Sequence, residues 1–107
     1  MPTKKTKKDV YEFDDDFQKT ILQYTVSDKL GYQALENYHP DYFALLELSV
    51  IAHGLKSYYK AKKNIPQSKV VFKEHLRKMY LTRDFKDLLA SDKKLINKAL
   101  EDIYSGP

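Results

Sequence analysis

Residues 42–52 read Tyr-Phe-Ala-Leu-Leu-Glu-Leu-Ser-Val-Ile-Ala and are apolar at nearly every position. A helix that is apolar on almost all sides has to be buried. We therefore expect a central helix that begins at Asp41 and that the rest of this 107-residue chain surrounds. A chain of this length forms one small domain. Its apolar fraction of 42% is enough for one core, and it has no cysteine with which to build a disulfide scaffold.

Apolar residues at helical spacing predict about five further helices around the central one. A first helix is expected over residues 15–26, because three aspartates come directly before Phe17 and can cap its free N–H groups. Ser27 and Asp28 are expected to start a second helix, and Ser68 is expected to cap another. The inward face of that later helix is predicted to hold Val70, Phe72, Leu76, Met79 and Tyr80.

The C-terminal part of the chain is expected to form a helical hairpin. Phe85, Leu88 and Leu89 suit a helix of about two turns, and Ser91 is expected to cap the last helix. The predicted fold is all-α: a compact bundle of about six helices with a central buried helix and a C-terminal helical hairpin. We expect residues 1–13 to be a basic disordered arm and residues 14–81 to be the globular helical core. Residues 82–107 are expected to form the hairpin that leads to a linker.

The positive charge of the chain is concentrated in the predicted arm. Lys and Arg together number 19 and Asp and Glu number 15, and four of the lysines precede the first acid, Asp9. The remaining positive and negative charges balance. Any basic surface on the folded body therefore requires local segregation of charge.

Such segregation occurs between Lys56 and Lys78, where eight cations accompany one acid, Glu74. Lysines with interleaved aromatic rings can contact phosphates and stack on bases, so this stretch is a candidate surface for DNA or RNA. The alternative is a solvated face whose lysine stems cover apolar rings. The candidate nucleic-acid-binding residues are Lys56, Tyr58, Tyr59, Lys60, Lys63, Lys69, Lys73 and Arg77.

The sequence contains no catalytic motif. The phosphate-binding string G-x-x-x-x-G-K-[ST] is absent, and Ser49 and Ser57 lack the glycines of a nucleophile elbow. His39, His53 and His75 lack the spacing of metal ligands, and the acids at residues 14–16 are better placed to cap a helix than to hold a divalent cation. We expect no active site, no metal and no cofactor within this chain.

A cytoplasmic location is expected. No apolar run approaches the ~20 residues that span a bilayer, so no membrane contact is predicted. The N-terminus also lacks the apolar centre of a secretion signal.

The last helix is a second candidate surface, because it carries many apolar groups for a terminal element. These groups pack either on the core of this domain or on a helix of a partner. The candidate protein-interface residues of the C-terminal part are Phe85, Leu88, Leu95, Ile96, Leu100 and Ile103.

Three stretches together suggest a family. Residues 17–22 read Phe-Gln-Lys-Thr-Ile-Leu, and residues 39–43 read His-Pro-Asp-Tyr-Phe. Residues 66–76 follow the pattern P-x-D-x-x-x-L-x-x-x-L, with Ser68 in place of the capping acid and Phe72 in place of the first Leu. In this order they resemble the opening helix, the acid-x-Phe junction and the later helix of the N-terminal domain of DnaB-type replicative DNA helicases, especially the phage relatives.

The resemblance implies a non-catalytic collar domain that contributes to a hexameric ring and contacts primase or a helicase loader. It implies that ATP and Mg²⁺ act only in a RecA-like motor domain beyond Pro107. Gln23 stands where the family has glycine, and the hairpin that joins neighbouring subunits has room only for a shortened form. Self-association is then expected through the C-terminal helices, so that Asp at Leu100 or Ile103 dissociates oligomers without unfolding the core.

Two other functions fit the same sequence. One is a stand-alone small helical protein that binds nucleic acid through its lysine and tyrosine face. The other is a helical adaptor or inhibitor from a phage, which binds one replication protein through an exposed apolar stripe. The full reading frame past Pro107, and the salt dependence of any DNA binding, distinguish these from a helicase collar.

Overall fold

A computed structural model describes residues 15–28 and 30–105. In these residues it shows five α-helices, a single 3₁₀ turn and no strand, which confirms the predicted all-α bundle. The predicted basic arm and the turn at Gly106 and Pro107 lie outside the described residues. The helices are α1 (Asp15–Ser27), α2 (Tyr32–Glu36), α3 (Leu46–Lys62), α4 (Lys69–Met79) and α5 (Ala90–Ser105), with the 3₁₀ turn at Pro40–Tyr42.

Helix α3 is the buried centre of the bundle, as the apolar run predicts. It packs against α1, α4, α5 and the 3₁₀ turn. Most of its N-terminal half is removed from solvent, whereas its last turns carry exposed lysines. The buried residues of α3 are Leu48, Val50, Ile51, Ala52, Gly54 and Leu55.

The start of the central helix differs from the prediction, since α3 begins at Leu46 and not at Asp41. The His39 imidazole accepts a hydrogen bond from the Asp41 N–H at 3.1 Å and so caps the short 3₁₀ turn instead. Phe43 and Leu45 then adopt extended backbone angles. In this extended segment the Phe43 side chain lies in the core.

Helix α1 matches its predicted bounds to within one residue, because its apolar periodicity is a local feature. The short helix α2 lies against it. A Cβ added at Gly31 would meet the Tyr24 carbonyl oxygen at 2.1 Å and the Thr25 Cα at 2.7 Å. Only glycine therefore permits this close approach of the two backbones.

The link from α3 to α4 behaves largely as predicted. Lys63 adopts the left-handed conformation, with φ 61°, and its N–H donates to the Tyr59 carbonyl at 2.7 Å. The Ser68 hydroxyl accepts from the Val71 N–H at 3.2 Å and caps α4. The prediction that Val70 faces inward is wrong, since this residue is 75% exposed. It lies two residues, or about 200° of helical turn, from the buried Phe72.

The expected helix around Phe85 is a series of turns. The Phe85 N–H donates to the Thr82 carbonyl and the Leu88 N–H donates to the Phe85 carbonyl, each at 3.2 Å. Only Phe85 and Leu88 of this segment pack partly on the core, while Leu89 is 64% exposed. One short apolar edge is not enough to stabilise a helix here, so the expected hairpin contains only one helix, α5.

Helix α5 belongs to the same core as α1, α3 and α4. It begins at Ala90, so Ser91 lies inside the helix and is not its cap. The Asp92 carboxylate accepts from the Leu89 N–H at 3.0 Å and stabilises this start, as in one half of a capping box. At the other end the Tyr104 hydroxyl donates to the Pro66 carbonyl at 3.1 Å, which joins α5 to the link before α4. Burial raises the pKa of Tyr104.

Candidate functional site

The predicted basic stretch does not form one continuous face. Gly54 marks the side of α3 that meets α4, because a Cβ added there would lie 2.7 Å from Leu76 Cδ2. Lys56 and Lys60 follow Gly54 by two and six residues, which places them about 200° and 240° around the helix. They therefore lie on the side of α3 that faces away from α4, and Lys63 is exposed at the end of the same helix.

The candidate cations on α4 are close to acids. The Lys69 ammonium lies 2.6 Å from a Glu101 carboxylate oxygen and, with help from Lys73, lowers the pKa of Glu101. Arg77 forms an ion pair with Glu74 one turn earlier, and this hydrogen bond lowers the pKa of Glu74. Exposed pairs of this kind contribute little to stability, but they reduce the net positive charge of this side.

The two candidate tyrosines have different surroundings. The Tyr59 ring stacks on the Tyr32 ring at a centroid distance of 3.8 Å and an interplanar angle of 6°. One face of Tyr59 is thus covered by α2, and burial raises the pKa of Tyr32. Tyr58 instead lies edge-on to the His75 ring at 5.3 Å, beside the crossing of α3 and α4. Of the two, only Tyr58 lies at a contact between the two basic helices.

This crossing contains a polar contact that the sequence analysis missed. The Ser57 hydroxyl oxygen lies 2.7 Å from His75 Nε2 and donates to the Gly54 carbonyl at 3.1 Å. Burial, with the charges of Lys78 and Lys62, lowers the pKa of His75, so its imidazole is neutral at pH 7. Ser57 and His75 are 18 residues apart on two helices, and the only local signal was the small residue Gly54 on the same side of α3.

The predicted protein interface is largely inside the molecule. Ile96 and Leu100 are 0% exposed and Ile103 is 1% exposed, because α5 lies on α1 and α3. These three residues pack on the domain's own core and present no surface to a partner in this fold. Phe85 and Leu88 are half-buried, and Leu95 is 48% exposed on the outer side of α5.

The fold also brings two histidines together beside one carboxylate. His39 Nδ1 and His53 Nε2 each lie 3.5 Å from a different oxygen of Asp41. The His53 ring is edge-on to Phe85 at 5.5 Å, so the cluster links the 3₁₀ turn, α3 and the segment after α4. Within residues 15–28 and 30–105, no three His, Asp or Glu side chains are arranged to hold a metal ion.

An aromatic cleft lies between α1 and the 3₁₀ turn. At its base the Gln18 side chain, only 3% exposed, accepts a hydrogen bond from the Ala44 N–H at 3.0 Å. Tyr42 forms the outer wall and is 63% exposed. The cleft is lined by Gln18, Ile21, Tyr38, Tyr42 and Phe43.

Comparisons with known proteins found no matching family model, no matching curated protein and no matching solved structure. Among the helices of the described residues, none combines the length and the apolar composition that a membrane span requires.

Proposed function

We propose that this chain is a non-catalytic helical domain of the kind that begins DnaB-type replicative helicases. In this proposal it acts by protein contact, in ring assembly and in binding primase or a helicase loader. It works in the cytoplasm of a bacterium or of a phage-infected cell. The observation that carries the proposal is the hydrogen bond from the Ala44 N–H to the Gln18 side chain, since it joins the first stretch of the resemblance to the residue that directly follows the second.

The order and packing of the three stretches support this proposal. Gln18 lies in the stretch that resembles the opening helix, and Ala44 directly follows the stretch that resembles the junction into the central helix. In the third stretch Ser68 caps α4, which is the role of the acid that it replaces. Phe72 and Leu76, at the two Leu positions of that pattern, are buried against Gly54 of the central helix.

The contact surface has to differ from the family pattern, because the segment after α4 forms turns and not the first helix of a hairpin. Leu100→Asp or Ile103→Asp would place a charge in the core and unfold the domain, so these variants cannot test assembly. Leu95 is the predicted interface residue with the greatest exposure in the structure, at 48%. We place the self-association surface on the outer side of α5 around Leu95.

Sedimentation equilibrium of the full chain over a range of concentrations tests this surface. We expect a mass above that of the monomer that rises with concentration. Leu95→Asp should lower this mass, whereas Val70→Asp should not, because Val70 is exposed on α4 but lies outside the proposed surface. Circular dichroism of both variants checks that each remains folded. Monomers at every concentration, together with no binding to primase or loader, would contradict the proposal.

The natural reading frame past Pro107 provides an independent test. We expect it to encode a motor domain with the string G-x-x-x-x-G-K-[ST] between a strand and a helix, where ATP and Mg²⁺ would bind. A stop codon near Pro107 would remove the motor. The phage adaptor would then be the better explanation of any protein contact.

A further inference from the structure

The crossing of α3 and α4 forms a notch of polar and positively charged groups that the proposed protein contacts do not use. We define the α3–α4 notch by Ser57, Tyr58, Lys62, His75 and Lys78. At its centre the Ser57 hydroxyl and His75 Nε2 are 2.7 Å apart at an exposed position. Two hydrogen-bonding groups from different helices therefore meet at the surface.

Lys62 and Lys78 flank this pair. Lys62 follows Tyr58 by one helical turn on α3, and Lys78 follows His75 by one turn on α4, so each adjoins one ring of the Tyr58–His75 contact, and the charges of both act on His75. Both side chains are exposed. Glu74 is the acid beside His75, and it pairs with Arg77. The notch thus has one ammonium group from each helix beside a hydroxyl and an imidazole.

We propose that the α3–α4 notch binds a phosphate group of single-stranded nucleic acid. The Lys62 and Lys78 ammonium groups would lie on either side of the phosphate, and the Ser57 hydroxyl and a His75 N–H would donate to its oxygens. The half-buried Tyr58 ring beside them would stack on a neighbouring base. This is a function in addition to protein contact and does not depend on it.

The position of the notch favours a nucleic-acid strand over a free phosphate ion. Ser57, Lys62 and Lys78 are all on open surface, where a long backbone can pass across the two helices. A ring for base stacking adjoins them. The notch also differs from the predicted basic face, because Lys56 lies about 200° around α3 from Gly54 and so on the side away from α4.

Fluorescence anisotropy with a labelled oligothymidylate tests the proposal in the full chain. The notch variant is Lys62→Gln with Lys78→Gln. The matched control is Lys94→Gln with Lys98→Gln, which removes the same charge from two exposed lysines one helical turn apart on the outer side of α5. We expect the notch variant to bind at least about tenfold more weakly at low salt, and the slope of log K against log salt to flatten by about 1.4, the value for two lost single-strand contacts.

The control variant should stay within about twofold of the unchanged protein, since its lysines are not at the notch. Ser57→Ala should weaken binding by a few-fold and leave the salt slope unchanged, because it removes a neutral donor. Equal losses in both double variants, or no oligonucleotide binding by the unchanged protein, would overturn the proposal. If inorganic phosphate at the same ionic strength competes as well as the oligonucleotide, the site is for a free phosphate and the nucleic-acid assignment is wrong.

Discussion

Two polar contacts join segments of this bundle that are distant in the sequence, and they differ in exposure and in the charges nearby. Gln18 accepts from the Ala44 N–H inside the aromatic cleft, where its side chain is only 3% exposed. Ser57 meets His75 at the open crossing of α3 and α4, with lysines on both sides. The first contact is partly buried: a side chain that is withdrawn from solvent satisfies the backbone donor of an exposed residue. The second has groups that solvent, or a ligand, can reach.

The Gln18 contact therefore has a structural role, whereas the groups of the Ser57 contact can also bind a ligand. A polar group that loses its partner in the interior retains the full cost of desolvation, whereas one at the surface exchanges its partner for water. Gln18 is therefore expected to stabilise the fold, and Ser57 is expected to contribute mainly to binding. Three experiments test this difference between the Gln18 contact and the Ser57 contact.

The largest effect is expected from Gln18→Ala. The change removes the acceptor for the Ala44 N–H and leaves space at the base of the cleft, so the free energy of unfolding should fall by about 2–3 kcal/mol. Gln18→Leu keeps most of the volume and should cost about 1–2 kcal/mol. Urea denaturation measures both. Ser57→Ala should change stability by less than about 0.5 kcal/mol, and a loss as large as that of Gln18→Ala would erase the contrast.

A smaller effect is expected from Gly54→Ala. The new methyl group would lie 2.7 Å from Leu76 Cδ2 and 2.9 Å from Phe72 Cζ, so these two buried side chains, or α4 with them, have to shift. The strain is offset by about 1 kcal/mol of improved helix propensity, and we expect a net loss of about 1 kcal/mol.

The location of the Gly54→Ala effect can be read by NMR. The His75 ring resonances should move, because its contact with Ser57 depends on the crossing, while the Ala44 amide resonance should stay in place. A shift at Ala44 that equals the shift at His75 would mean that the two contacts are not independent.

The smallest effect concerns pH. The pKa of His75 is lowered in the fold by burial and by the nearby lysines, so the unfolded chain takes up this proton first as the pH falls. The contribution of His75 to the free energy of unfolding is complete above the ordinary histidine pKa of 6.5 and declines as the pH falls from there to the lowered pKa. Free energies of unfolding measured between about pH 7.5 and about pH 5 should fall more steeply in the unchanged protein than in His75→Gln. Parallel curves would exclude this role for His75.

The prediction of helix positions succeeded where the signal was local. The bounds of α1 follow from the spacing of its apolar residues, and the Ser68 cap of α4 lies within one turn of the N–H group that it satisfies. The burial of α3 followed from a run that is apolar on all sides. These features could be predicted because each depends on neighbours in the sequence.

The sequence left the assignment of surfaces open where the outcome depended on which helix packs on which. The apolar stripe of α5 is compatible with a partner or with its own core, and packing on α1 and α3 assigned Ile96, Leu100 and Ile103 to the core. The lysines around Lys56 are close in sequence to those of α4. They lie on another side because the Gly54 contact sets the orientation of α3.

An all-helical chain with a buried central helix could be predicted from the sequence, since helix caps and hydrophobic periodicity act over a few residues. The turns at residues 83–87 and the contacts of Gln18 with Ala44 and of Ser57 with His75 could be found only in the packed structure. Contacts between residues 18 or 26 positions apart depend on how the helices cross. That crossing is set by the shape of many packed side chains together, and no single stretch of the sequence contains it.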